Sequence, residues 1–247
     1  MIEREVSFAG SRPGGELSTA LGALREHLSE LQLPQIAHGR RAIILFEGPQ
    51  GSGKKLALRQ LAAAFDPCHF IVYSTAYDRR DSSEGHWLAR FWRQLPSAGN
   101  TAIFFRSWYR RVLEDRVLGR TPEESIPRVF DEINEFEAQQ RDYGTLLLKL
   151  YFDVSADVQE QRLAQRRLSP WRSRLADADF IRADDVGYQH ALEELRANTD
   201  TRWSPWRTID ADDEQQAALT ALEAIAEAWS KAMPSEPPQL IKTPRVA

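Results

Sequence analysis

Gly48, Gly53 and Lys54 stand at G-x-x-x-x-G-K spacing within Phe46-Glu47-Gly48-Pro49-Gln50-Gly51-Ser52-Gly53-Lys54-Lys55. Glycines so placed let successive backbone N–H groups curl around phosphate oxygens, a following helix offers its positive N-terminus, and the lysine reaches the outer phosphates. The candidate phosphate contacts are therefore Gly48, Gly51, Ser52, Gly53, Lys54 and Lys55. Loops of this kind mostly place Ser or Thr after Gly-Lys, where the hydroxyl binds Mg²⁺; here that position is Lys55. Any metal chemistry must draw on other groups.

Arginines form the second set. A guanidinium fork grips phosphate through two parallel hydrogen bonds, and a polyanion needs several forks along a groove. Arg106, Arg110 and Arg111 follow an apolar run, and Arg162, Arg166, Arg167, Arg172 and Arg174 crowd a later helical stretch. Arg106, at the strand edge where ligands bind, is preferred for stabilising charge in transfer. Arg162 and Arg174 are read as surface partners of the chain's many carboxylates. Trp108 and Tyr109 read as core packing, as does the tryptophan-containing 87–92 stretch.

These residues need a scaffold. Ala42–Phe46, Cys68–Ser74, Thr101–Phe105, Thr145–Phe152 and Arg207–Asp210 read as strands, and the unbroken apolar character of the fourth is that of a buried parallel strand. Leu17, Leu21, Leu24, Leu28 and Leu31 mark one helix face, stopping at Pro34. Further helices are expected from Lys54 to Phe65, around Trp87–Leu95, after Arg111, and over Pro127–Asp142. Others follow Ser155 and cover Asp179–Asn198 and Gln215–Lys231. Strands alternating with helices give an α/β fold around a parallel five-stranded sheet, with the glycine loop at the carboxyl end of strand one. The polar run Tyr77–Glu84 is a solvated loop or part of an acceptor site. Residues 1–15 read as an N-terminal arm, 16–232 as the domain, and 233–247 as a Pro-rich tail.

Composition narrows the classes. A 247-residue chain of net charge −4 can bury a large core and lacks the charge for general DNA or RNA affinity. One cysteine, Cys68, rules out an internal disulfide, and the five histidines show no metal-ligand spacing. No signal peptide or membrane-length apolar run is seen, so a cytoplasmic protein without membrane contact is expected.

With these pieces placed, the chain resembles the polyphosphate kinase 2 family. Phe46-Glu47-Gly48 and Gly53-Lys54 are similar to the family's F-E-G-x-D-x-x-G-K-G loop, Arg106-Ser107-Trp108-Tyr109 to its D-R-S-W-Y-N-R, and Asp115-Arg116-Val117 to its E-R-V. Arg90 with Pro96 and Gly99 is similar to its R-x-x-x-x-x-P-x-x-G. Glu135-Phe136-Glu137, Gly144–Lys149 and Thr199–Trp206 fit further stretches. The resemblance implies a P-loop kinase-like three-layer sandwich with a helical lid, here about 165–180, bringing Arg166, Arg167 and Arg172 to the phosphates. It also implies Mg²⁺ as cofactor, inorganic polyphosphate and a nucleotide as partners, and assembly as a homo-oligomer or with an active homologue.

Two departures bear on chemistry. The family's loop aspartate and the aspartate before R-S-W-Y, which hold Mg²⁺ and the reacting phosphates, are Gln50 and Phe105 here. Leu168-Ser169-Pro170-Trp171-Arg172 lacks the acid of the family's D-P-x-K-x-W-K lid. In these respects the chain looks most like the degenerate half of tandem polyphosphate:AMP phosphotransferases. Glu47 and Asp115 are the candidate metal carboxylates, and Asp153 and Asp210 read as solvated strand ends. Three functions stay open: a polyphosphate:nucleotide phosphotransferase using Lys54, Arg106 and Arg167, a phosphate-binding regulatory module, and an ATP-dependent nucleotide kinase.

Overall fold

The computed structural model describes residues 15–74, 85–169, 171 and 181–238. In chain order these form α1 (Gly15–Ala37), β1 (Arg41–Glu47), α2 (Lys54–Ala62), β2 (Phe70–Ser74), α3 (Ala89–Trp92) and β3 (Thr101–Phe105). Then come α4 (Glu114–Val117), α5 (Ile126–Asp142), β4 (Thr145–Asp153), α6 (Ala156–Arg167), α7 (Val186–Thr199), β5 (Trp206–Asp210) and α8 (Glu214–Ala232).

The five strands make one parallel sheet in the order β2-β3-β1-β4-β5. A central parallel strand is covered on both faces, so both sets of alternating side chains must be apolar. Ala42–Phe46 of β1 meets that demand with no solvent exposure at any position. On one face Ile44, Phe46, Leu148 and Leu150 pack under α1, α2 and α8. On the other, Ile43, Leu45, Phe104 and Tyr151 pack under α5, α7 and the 3₁₀ turn Trp108–Arg111. The three-layer α/β expectation holds.

Element limits differ from the sequence reading in instructive ways. α1 does not stop at Pro34 but runs through it to Ala37. Proline removes one helix N–H near the end, and the extra turn seats Gln35, fully buried. That amide donates to Thr101 Oγ1 (2.9 Å) and accepts from Trp229 Nε1 (2.9 Å), tying α1 to β3 and α8. The helix expected over Trp87–Leu95 shrinks to the single turn of α3. Gly85 and Pro96 leave little length, and Trp87 Nε1 instead anchors to Glu132 of α5 (2.7 Å). Leu88 and Phe91 are core, as expected, while Trp92 is 43% exposed. The helix after Arg111 is the one turn of α4. α7 starts at Val186 rather than near Asp179, where the Asp185 side chain caps it by accepting from Tyr188 N–H.

Met233 is buried against the core, and His38 Nε2 meets the Glu236 carbonyl at 2.6 Å. Most of the N-terminal arm, the 77–84 run, Arg172 and Arg174 of the lid, and the tail beyond 238 lie outside the described residues. Among the described residues no helix is long and apolar enough to cross a membrane.

Candidate functional site

The site forms where β1 and β3 end side by side. Phe46 pairs with Phe105, so Arg106-Ser107 leave β3 beside Glu47, the last residue of β1, and Gly48 follows. The chain turns at Gly48 with φ 132°, where a Cβ would sit 2.5 Å from the Phe152 carbonyl oxygen. It re-enters helix at Gly53 (φ 76°), and α2 begins at Lys54 without a side-chain cap. Its positive end is thus left facing the loop.

Every carbonyl from Gly48 to Gly51 has a donor. Lys54 Nζ donates to Gly48 O (2.6 Å) and Pro49 O (3.0 Å), with Ser52 Oγ at 3.4 Å. Gln159 Nε2 of α6 donates to Gln50 O (2.8 Å), and Arg162 to Gly51 O (3.2 Å). Occupied carbonyls leave the backbone N–H groups as the loop's remaining polarity, the arrangement an anion requires. Lys54 is 4% exposed and its ammonium lies 5.3 Å from the Phe105 ring centroid.

Beneath the loop sits Glu47, 1% exposed. Its Oε1 accepts from both Ser107 N–H and Ser107 Oγ–H at 2.6 Å, while Oε2 is buried without a partner. Loss of hydration first, and the nearby Glu114 charge second, push its carboxyl up to about 7, against the pull of the Ser107 bonds and Lys54. Arg106 is the only non-glycine residue at positive φ (65°) among those described. Such backbone costs energy and persists where surrounding structure enforces it. Here Arg106 N–H bonds Phe46 O (3.1 Å), and its Nε lies 3.2 Å from Glu114 Oε1 without pointing its proton at that oxygen.

The expected site residues are distributed unevenly. Gly48, Gly51, Ser52, Gly53 and Lys54 form the cradle, and Lys55 is exposed one residue into α2. Arg110 is 5% exposed and pairs with Asp115 Oδ1 (3.2 Å), which also faces Arg120 (3.5 Å). Arg111 lies over the Trp87 ring at 5.0 Å. Arg166 and Arg167 close α6, with Arg167 exposed. Arg162, expected as a surface partner of carboxylates, does face Glu214 (3.5 Å) but also holds the loop and the β5–α8 turn, donating to Ala211 O and Asp212 O. Trp108 and Tyr109 are core. Asp153 and Asp210 are exposed at strand ends.

As cation ligands the two candidate carboxylates differ. Glu47 fits, through its orphaned buried Oε2. Asp115 is already engaged by two arginines. Among the described residues no three His, Cys, Asp or Glu side chains are grouped for a metal. Sequence reasoning missed Gln159, Ser107 and Glu114. An amphipathic-helix glutamine carries no signal of its own, and Glu114 meets Glu47 only through tertiary folding.

A strand–loop–helix cradle beside an R-S-W-Y turn has a counterpart among known families. The model of polyphosphate kinase 2 (PPK2) matches residues 15–237. The chain belongs to the polyphosphate kinase 2 family. It is 35% identical over 192 residues to a polyphosphate:AMP phosphotransferase of Pseudomonas syringae pv. tomato, covering 77% of this chain and 39% of that protein. It is 30% identical over 218 residues to ADP-polyphosphate phosphotransferase 3 of Rhizobium meliloti, covering 87% of this chain and 76% of that one. A polyphosphate kinase 2 structure from Pseudomonas aeruginosa PA01 superposes with TM-score 0.79 at 27% identity, over 87% of this chain and 47% of the other. One from Arthrobacter aurescens TC1 shares the fold at the same TM-score and 24% identity, over 97% and 92%. The chain thus spans about two fifths of the length of the Pseudomonas syringae relative.

Proposed function

We propose that this polyphosphate kinase 2 domain moves phosphoryl groups between inorganic polyphosphate and nucleoside mono- or diphosphates. The observation that carries the reading is the cradle itself, with Lys54 resting on the Gly48 and Pro49 carbonyls at the uncapped start of α2. The names of the relatives, which act on polyphosphate with AMP or ADP, support the substrate class.

In the transfer, a terminal phosphate oxygen of the nucleotide attacks the end phosphorus of polyphosphate. The bridging P–O bond breaks, and the chain leaves one phosphate shorter; the reverse direction uses the same groups. Such chemistry rests on positioning and on neutralising charge rather than on covalent help from protein. Lys54 turns from the loop carbonyls to the transferring phosphate, and the loop N–H groups orient its oxygens. Arg106 and Arg167 take up charge at the reacting end. A bound Mg²⁺ would supply further neutralisation of the phosphate oxygens, and Glu47, through its unpartnered Oε2, would hold it.

The second reading, a phosphate-binding module without turnover, rests on Gln50 and Phe105 in the places of the family's aspartates. A coupled assay separates the two, offering polyphosphate with AMP, ADP, GMP or GDP, with and without Mg²⁺. Turnover that vanishes in Lys54→Ala supports the enzyme. Lys54-dependent binding without turnover supports the module, and an ATP-dependent kinase would instead consume ATP in the absence of polyphosphate.

A further inference from the structure

We propose that Glu114 joins Glu47 as the second carboxylate for the divalent cation, in place of the aspartate that Phe105 has displaced. The inference rests on the phosphotransfer reading above and adds to it a ligand set particular to this chain.

The argument starts from four carboxylate oxygens. Glu47 Oε1 is taken by the two Ser107 donors, and Glu114 Oε1 by the Arg106 guanidinium. Glu47 Oε2 and Glu114 Oε2 are each wholly buried and lack any hydrogen-bond partner. The residues themselves are 1% and 8% exposed. A buried anionic oxygen without a donor costs more than almost any other polar defect, so a native fold keeps one where something else satisfies it. Two such oxygens, on carboxylates joined through the adjacent residues Ser107 and Arg106, describe a gap for positive charge.

Placement agrees. Glu47 immediately precedes the cradle, and Ser107 and Arg106 link it to Glu114 through adjacent residues at the end of β3. Mg²⁺ keeps several waters and needs only one or two protein carboxylates, its other ligands coming from substrate phosphates. Glu47 at the foot of the loop and Glu114 beside Arg106 satisfy that demand, whereas Asp115 already has two cations, Arg110 and Arg120, on its Oδ1. The Arg106 guanidinium does not close the gap, because it faces Glu114 Oε1 and both Oε2 atoms remain unserved.

The test uses Mn²⁺ as the probe on the full chain. In solution, electron paramagnetic resonance of free Mn²⁺ should show one bound ion, weakened by about tenfold or more in Glu114→Gln and little changed in Asp115→Asn. Equal binding by Glu114→Gln and the unaltered chain overturns the proposal, as does loss in Asp115→Asn alone. Should Glu114→Gln fail to fold, crystals of the unaltered chain soaked with Mn²⁺ and pyrophosphate decide. Anomalous scattering must place Mn²⁺ between Glu47 Oε2 and Glu114 Oε2. A peak elsewhere, or none, means that these carboxylates share only a proton, and overturns it. Pyrophosphate density is read separately at the loop, so an empty cradle would count against the functional reading without being mistaken for a misplaced metal.

Discussion

The Lys54 ammonium lies 5.3 Å from the centroid of the Phe105 ring, so the end of β3 offers the loop lysine a π face instead of a carboxylate. Phe105→Asp would replace that face with a charge beside both Lys54 and the Glu47 carboxylate. The Mg²⁺ concentration giving half-maximal turnover should fall several-fold. Unchanged Mg²⁺ dependence would show that metal placement does not limit this chain.

Lys54→Ala removes the donor shared by the Gly48 and Pro49 carbonyls and the charge meant for phosphate. Pyrophosphate binding, followed by calorimetry, should be abolished. Stability should fall by about 1–2 kcal/mol as Gly48 O loses its donor and Pro49 O keeps only Ser52 N–H (3.2 Å). Retained affinity would remove the cradle from the account.

Gly48→Ala tests the loop by shape alone. A Cβ there would stand 2.5 Å from the Phe152 carbonyl oxygen, at φ 132°. β1 and β4 are hydrogen-bonded neighbours and cannot spread, so the turn must distort. Urea denaturation should register a loss of about 2–4 kcal/mol, with phosphate affinity falling in parallel. A variant as stable as the unaltered chain would show the turn to be softer than its contacts imply.

Lys149 and Glu137 form an ion pair with no side-chain exposure on either partner (3.0 Å). Lys149 also donates to Thr199 O (2.7 Å), and Glu137 accepts from Trp108 Nε1 (2.9 Å). Lys149→Met leaves a buried carboxylate uncompensated and should cost about 3–5 kcal/mol. Adding Glu137→Gln should recover part of that loss. Independent, additive losses in the double variant would argue that the two charges do not act as a unit.

The parts legible in the sequence were those encoded locally. Ala42–Phe46 and the glycine spacing declare a buried strand running into a phosphate loop because strand period, turn glycines and helix start all sit within a dozen or so residues. The family motifs add the R-S-W-Y turn. Short elements were harder, since α3 and α4 are one turn each and their helical pattern is cut by neighbouring turns before it can propagate. Hardest were partnerships made across the fold. Nothing around Glu114 announces Glu47, nothing in α6 announces that Gln159 and Arg162 hold the Gln50 and Gly51 carbonyls, and nothing near Pro34 shows that Gln35 will clasp Trp229. Asp115, chosen by motif, has Arg110 and Arg120 on its Oδ1, a pairing that the motif does not announce.

The saturated carbonyls of the loop bear on how fast a substrate can leave. Lys54 has internal acceptors in the Gly48 and Pro49 carbonyls. An arriving phosphate therefore displaces an internal rival and collects only the difference between two sets of bonds. The same rival stands ready to reclaim the lysine once the phosphate has moved on. A cradle built this way grips by exchange, trading tightness for rapid turnover of its contacts. Under the phosphotransfer proposed above, that suits a polymer that must be released and re-seated one unit shorter after every transfer.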